Sequence, residues 1–210
     1  MDRHPTVQFL LETYPTSQDL LGALSEISPQ SAGGIESEIN EFLAHRLFFR
    51  LLNATKSASN FETIENYLIK NQVINLHPKL TKYLVDEYLS KSDVKKSCEI
   101  FSAINEPIED KYLSKFNLYC LINYGKNDEA QLILDLKKEL GFNDEYYENK
   151  INYLFGYIED TDKRISENSI LDFHLAHRTD PEFFFEPTNE TPNLIWKYLS
   201  TSNLLYNMKD

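Results

Sequence analysis

The sequence is poor in the residues that interrupt regular structure and in cysteine. It contains 6 glycines, 8 prolines and 2 cysteines among 210 residues. This composition excludes collagen-like chains and disordered chains rich in proline and glycine, and an aromatic content of 13% indicates a packed core. Two cysteines are also too few for the disulfide framework of a small secreted domain.

Cys98 and Cys120 each lie inside a segment with helical apolar spacing. We therefore expect two buried thiols that act as small apolar side chains. A single disulfide between two helices is the alternative. The two residues lack the paired spacing of cysteines in a structural zinc site, so a zinc site of that type is not expected.

Positive charge is scarce as well. Lys and Arg number 21 against 33 Asp and Glu, which gives a formal net charge of −12. This charge argues against a nucleic-acid binder, because phosphate contacts need a basic face. No run approaches the ~20 apolar residues that span a bilayer, and the first residues lack the features of a secretory signal. We expect a soluble protein, cytoplasmic or periplasmic, since a signal peptide could have been removed.

Apolar residues recur at helical spacing along most of the chain, and no stretch shows the alternation typical of a strand. The sequence therefore predicts an all-α fold. Residues 1–34 are expected to form an N-terminal helical pair and a linker, and residues 35–210 a continuous helical region.

Prolines, glycines and capping residues set the expected helix boundaries. From residue 78 onward the predicted helices cover about Pro78–Ser90, a segment capped by Ser92 or Asp93, Glu109–Tyr124, a segment from Asn127 or Asp128 to Gly141, a segment from Asn143 to Gly156, a segment from Ser166, and a last one from about Thr191–Pro192.

A weak internal repeat appears when the sequence is shifted by 33 residues. In both copies an apolar helix leads through a small turn residue into a second helix. A small residue early in that second helix, Ser97 or Ala130, allows close approach of the two helices. The matched pairs are Val85 with Leu118, Tyr88 with Leu121, Leu89 with Ile122, Ser92 with Gly125, Ser97 with Ala130 and Phe101 with Leu134.

This pattern covers about residues 78–140, and loosely 143–177, and it resembles the tetratricopeptide-like (TPR-like) helical repeats. The resemblance implies a right-handed stack of antiparallel helical hairpins, an α-solenoid, with a groove that binds a peptide or a partner helix. The expected function is a non-catalytic scaffold or adaptor with a protein partner and without a cofactor.

A second class of function remains open. The sequence lacks the motifs of a phosphate-binding loop, an esterase nucleophile and a zinc-protease helix. His174 and His177 lie about one turn apart with Asp172 nearby, which makes these three weak candidates for a metal site. The favoured interpretation is that they are polar residues beside a core stripe. The alternative function is a metal- or ligand-binding helical domain, or the helical superhelix of a larger bacterial envelope or cell-wall enzyme.

Aromatic residues supply the candidate partner contacts, because tyrosine and tryptophan are enriched at interfaces. The three consecutive phenylalanines cannot all face inward, so at least one ring should be exposed or docked. The candidates are Tyr112, Tyr119, Tyr147, Phe183, Phe184, Phe185 and Trp196. The apolar C-terminal end, around Leu204 and Leu205, also predicts a possible homo-oligomer.

Overall fold

A computed structural model describes residues 65–66, 74–75, 77–102 and 107–207. Within these ranges the regular elements are helices and no strand occurs, which confirms the all-α prediction. No helix in the same ranges is long and apolar enough to cross a membrane. The helices are α1 (Pro78–Ser90), α2 (Val94–Glu99), α3 (Lys111–Asn123), α4 (Asn127–Glu139), α5 (Glu145–Phe155), α6 (Ile170–Thr179), α7 (Asn193–Thr201) and a 3-10 helix (Leu204–Asn207).

The chain divides into two compact units, and the division falls inside α1. Residues 1–84 and 103–108 form the first unit, and residues 85–102 and 109–210 form the second. In the first unit the Asn75 side chain donates to the Pro107 carbonyl at 2.9 Å. The predicted N-terminal pair in residues 1–34 lies outside the described residues. Apart from residues 78–84 of α1, the features discussed below belong to the second unit.

The core of the second unit is formed by the apolar sides of its helices. α3 packs against α4 and α5, α6 packs against α5 and α7, and α2 packs against α3. The side chains buried between them include Leu113, Phe116, Leu118, Leu134, Ile151, Leu171, Phe173, Leu175, Ile195 and Leu199.

The predicted helix starts are correct to within a few residues, but three capping residues differ. Asp144 rather than Asn143 caps α5, and Ser169 rather than Ser166 caps α6, each accepting a backbone N–H of the first turn. Residues 161–169 are not helical, so α6 begins later than the sequence predicts. The N-cap position of α4 is Lys126, without a side-chain bond, so the predicted caps Asn127 and Asp128 lie one and two residues too late.

The 33-residue register of the repeat is present in the backbone. α1 and α3 each have 13 residues, and their first residues lie 33 positions apart. Each helix is followed by a residue in the left-handed conformation, Ser92 with φ 59° and Gly125 with φ 73°. The Asp93 N–H donates to the Tyr88 carbonyl, and the equivalent bond in the second copy closes α3.

The small residues of the repeat lie where the two helices of each copy meet. Ser97 in α2 and Ala130 in α4 are both fully buried. The Ser97 hydroxyl donates to the Val85 carbonyl on the facing helix at 3.2 Å. This hydrogen bond joins the side chain of α2 to the backbone of α1.

The repeat ends after α4, so its loose extension over residues 143–177 was wrong. The Lys115 ammonium binds Asp144 at 2.8 Å and Asp172 at 3.1 Å. Asp144 precedes α5 and Asp172 lies in the first turn of α6, so both helices begin at the same end of α3. The two helices of an antiparallel hairpin begin at opposite ends. Residues 156–169 instead form a non-helical connection that returns the chain.

The expectation of two free thiols was also wrong. Cys98 in α2 and Cys120 in α3 form a disulfide, with their Cα atoms 5.3 Å apart. Both residues are buried, as predicted. The pairing follows from the packing of α2 against α3, which places the two side chains face to face.

Candidate functional site

Helix α4 carries apolar residues on two opposite sides. Ala130 and Leu134 are buried towards the interior of the unit, whereas Leu132, Leu136 and Leu140 are 61%, 50% and 87% exposed. The three exposed leucines follow each other at intervals of four residues, which places them in one row along the helix. We call this row the leucine ridge. A contiguous row of exposed large apolar side chains typically marks an interaction site.

Acidic side chains border the leucine ridge. Each lies three or four positions from Leu132 or Leu136, and is therefore their neighbour on the helix surface. Lys126 lies 3.4 Å from Glu129, but an ion pair this exposed neutralises little of the local field. All four acidic residues are exposed: Asp128, Glu129, Asp135 and Glu139.

The lysines of the last turn of α4 alter this field at one end. Lys138 binds Glu148 of α5 at 2.8 Å, so its charge is directed away from the ridge. Lys137 borders the ridge next to Leu140, and partial burial lowers the pKa of its ammonium group. The acidic character is therefore concentrated around Leu132 and Leu136.

A second feature is a chain of hydrogen bonds that links α3, α6 and α7 inside the core. The Tyr119 hydroxyl lies 2.7 Å from Nε2 of His174. Nδ1 of His174 lies 2.9 Å from the Tyr198 hydroxyl, which is also 2.7 Å from Nδ1 of His177. Tyr119, His174 and Tyr198 are buried, and His177 is half-buried. We call these four side chains the Tyr–His chain.

One arrangement of protons gives every buried donor of the Tyr–His chain an acceptor. Tyr119 donates to Nε2 of His174, Nδ1–H of His174 donates to Tyr198, and Tyr198 donates to Nδ1 of His177. The reverse direction would leave the buried Tyr119 hydroxyl hydrogen without an acceptor, which costs about 1–3 kcal/mol. The chain therefore runs from Tyr119 outward to His177.

The electrostatics keep the Tyr–His chain neutral. Burial lowers the pKa of His174 to about 3, and the charge of Arg178, together with that of His177 when its ring is protonated, acts in the same direction. Burial raises the pKa of Tyr119 to about 12 and lowers the pKa of His177. At neutral pH these groups hold three helices together and carry no charge.

The structure does not bring the predicted metal candidates together. Both ring nitrogens of His174 are engaged by tyrosines, and Asp172 binds Lys115 instead of approaching His177. Burial alone would raise the pKa of Asp144, the other partner of Lys115, but hydrogen bonds from Lys115 and the Tyr147 N–H lower it overall. Within the described ranges, no cluster of three His, Cys, Asp or Glu residues is arranged to hold a metal ion.

The tyrosines predicted as partner contacts lie mostly inside. Tyr119 and Tyr147 are buried, and the Tyr147 hydroxyl donates to the Lys115 carbonyl at 2.6 Å. Tyr112 is half-buried and donates its hydroxyl to the Asp86 carboxylate. This is a correction to the sequence analysis for Tyr119 and Tyr147, because their rings and hydroxyls are used within the core.

The three phenylalanines divide as the sequence requires. Phe183 and Phe185 pack edge-on against Phe173, with ring centroids 5.5 Å and 4.9 Å away. Phe184 between them is 63% exposed. Trp196 in α7 is half-buried. Phe184 thus remains the best placed of the predicted aromatic contacts.

A polar cleft lies between the start of α5 and the connection that precedes α6. Its volume is about 390 Å³. Asp144 and Asp172 belong to its lining, and the Lys115 ammonium bridges the two carboxylates. The lining is Asp144, Tyr146, Arg164, Ile165, Ser166, Glu167, Asn168 and Asp172.

The leucine ridge is not among the residues predicted from the sequence. The apolar residues between positions 130 and 136 contain two sets with a spacing of four. Ala130 and Leu134 form one set, and Leu132 and Leu136 form the other, displaced by two positions. A displacement of two residues corresponds to opposite sides of a helix. Assigning each apolar residue of this segment to a side of the helix would therefore have revealed the ridge.

Comparison of the chain with models of protein families, with curated proteins and with solved structures finds no match.

Proposed function

We propose that this protein is a non-catalytic interaction module that binds an amphipathic helix of a partner protein on the leucine ridge. The observation that carries the proposal is the exposure of Leu132, Leu136 and Leu140 along one side of α4. Burial of a leucine side chain contributes about 1.5–3 kcal/mol, so three exposed in a row represent a large unused driving force for association.

The shape of the ridge favours a helix as the ligand. From Leu132 to Leu140 the ridge extends about 12 Å, at about 1.5 Å per residue. A partner helix that presents apolar residues every three or four positions matches this length with two turns. The ridge is a convex row, whereas the resemblance to TPR-like repeats implies a binding groove.

The helical-repeat architecture belongs to the same proposal. The common register of α1 and α3, and the matching turns at Ser92 and Gly125, support a stack of TPR-like hairpins up to α4. In such a stack the second helix of each hairpin has one side that faces outward. In α4 this outward side carries the three exposed leucines.

The disulfide supports one of the compartments that the sequence left open. Cys98 and Cys120 are bonded and buried. Structural disulfides persist in oxidising compartments and are rare in the cytosol. We therefore propose that the protein folds in an oxidising environment, such as a periplasm.

Site-specific photo-crosslinking in native extract tests the interaction. A photoreactive residue is placed at position 136 of the full chain, and at position 95 in α2 as the control. Lys95 is 83% exposed by its side chain, lies on a second helix of the repeat and is not part of the ridge. We expect discrete protein adducts at position 136 that the control does not give.

Mass spectrometry of the crosslinked peptides decides the outcome. The proposal requires that the segments attached at position 136 have apolar residues at intervals of three or four. Equal adducts at both positions, or attached segments without this spacing, would overturn it.

A further inference from the structure

We infer that the partner helix of the leucine ridge is basic, with lysine or arginine on both sides of its apolar face. This inference rests on the proposed function and adds the chemistry of the partner. It is carried by the acidic residues that border Leu132 and Leu136.

The acidic side chains of α4 lie opposite the positions that flank the apolar face of a docked helix. Asp128 lies four positions before Leu132 and continues the row of the ridge towards the start of the helix. Asp135 and Glu139 lie on one side of this row, and Glu129 lies on the other side, 3.4 Å from the exposed Lys126. A helix with cations beside its leucines would pair with both sides, whereas an acidic helix would be repelled.

The same field disfavours a second copy of this chain on the ridge. Two α4 helices packed face to face would bring Asp135 and Glu139 of each against the acidic residues of the other. Each chain also carries a net charge of −12, which adds long-range repulsion. The exposed leucines favour association with a partner, and the acidic residues disfavour association between two copies of this chain.

A single substitution separates docking on the ridge from general attraction between an acidic protein and a basic peptide. Leu136→Asp adds one negative charge and removes the central leucine. Non-specific attraction would become stronger in this variant. Docking on the ridge would become weaker, because a charged side chain then faces the apolar side of the peptide.

The experiment uses labelled helical peptides of about 18 residues, long enough to form helix on binding. All carry the same leucine spacing, and the bordering positions are lysine, glutamine or glutamate. A fourth peptide has the lysine composition in scrambled order. Fluorescence anisotropy with the full chain measures each affinity at about 50 mM and about 300 mM salt.

We expect the lysine peptide to bind at least about tenfold more tightly than the glutamine peptide at low salt, and about threefold or less at high salt. Leu136→Asp should reduce its affinity by at least about tenfold. The double variant Asp135→Asn, Glu139→Gln should remove most of the preference for lysine, while the control Glu190→Gln, which lies outside α4, should keep it.

The two levels of the inference fail differently. Equal binding of the lysine and glutamine peptides, with both lost in Leu136→Asp, would overturn the basic partner and leave the proposed function standing. Failure of every peptide to bind would overturn both. Equal binding of the scrambled peptide, or tighter binding by Leu136→Asp, would show general attraction and overturn the assignment to the ridge. A rise in mass with concentration in light scattering that Leu136→Asp abolishes would identify a second copy as the occupant and overturn the basic partner.

Discussion

The two segments that the shift of 33 residues relates, which we call the two copies, match in their first helix and turn and differ in their second helix. α2 has 6 residues and is held to α3 by a disulfide, whereas α4 has 13 residues and no such bond. The first residues of α2 and α4 lie 33 positions apart, and each helix follows the same type of turn. Each also contains a small buried residue, Ser97 in α2 and Ala130 in α4. The shorter α2 is therefore fixed covalently to α3, the first helix of the other copy, whereas α4 has no such link.

The extra length of α4 is the part that carries the leucine ridge. Glu99, the last residue of α2, corresponds to Leu132, the first residue of the ridge. The ridge thus lies beyond the part of the second helix that the first copy needs for its hairpin. The first copy packs without residues equivalent to the leucine ridge. Packing alone therefore does not explain the leucines of α4, which supports a role in binding.

Removal of the disulfide, which only the first copy has in its second helix, should cause the largest loss in the free energy of unfolding. Cys98→Ala, Cys120→Ala opens a loop between residues separated by 22 positions, for which the chain-entropy model predicts a loss of about 3 kcal/mol in the free energy of unfolding. Denaturation in urea measures the loss. A reductant should destabilise the parent protein and leave the double variant unchanged; equal sensitivity of the two would contradict a stabilising disulfide.

Acid should lower the free energy of unfolding through the hydrogen bond between α3 of the second copy and α6. Tyr119 of α3 donates to His174, while the equivalent residue of the first copy is Asp86. The unfolded chain binds a proton at His174 near pH 6.5, but burial holds the folded pKa at about 3. Between these values the unfolded state binds more protons, so stability present at pH 7 is lost as the pH falls.

The expected loss is about 1.4 kcal/mol for each pH unit below 6.5, or about 2 kcal/mol at pH 5. His177, whose pKa burial also lowers, acts in the same direction. Thermal unfolding at pH 7, 6 and 5 measures it. His174→Gln, which cannot titrate, should be less stable at pH 7 and should show a flatter profile. Parallel profiles for parent and variant would exclude His174 as the cause.

The turn residues should give the smallest effects, with opposite signs. Gly125→Ala places a side chain at φ 73°, where no atom clashes with it, so only backbone strain of about 1 kcal/mol is expected. Ser92→Gly relieves the same strain at φ 59° but loses a hydroxyl contact with Ser202, so a gain below about 1 kcal/mol is expected.

Urea midpoints compare the two turn variants, with Gly141→Ala as a matched control at the end of α4, where φ is 89°. Gly141→Ala should behave like Gly125→Ala. A loss of stability in Ser92→Gly equal to that in Gly125→Ala would show that the two turns are not equivalent.

Local signals in the sequence predicted the regular part of the fold well. Pro78–Ser90 is correct at both ends, and the shift of 33 predicted that Ser92 and Gly125 occupy equivalent turns. These features depend on proline, on small residues and on apolar spacing within about one turn. Such interactions act between near neighbours in the sequence and can be inferred from it.

The irregular part depends on partners that are distant in sequence. Lys115 lies 29 and 57 residues from the two carboxylates that it bridges, and this bridge places the starts of α5 and α6 together. His174 was recognised as a notable residue, but its partners Tyr119 and Tyr198 come from two other helices. Helical spacing alone gives no information on such pairings.

The direction of the Tyr–His chain has a consequence for how this protein can evolve. Tyr119 donates its hydroxyl hydrogen, His174 accepts at Nε2 and donates from Nδ1, and Tyr198 both accepts and donates. Loss of one member leaves a neighbour unsatisfied in the core, so a single substitution is costly while a joint change to apolar residues is tolerated. Positions 119, 174 and 198 should therefore co-vary among descendants of this chain, exchanging as a set.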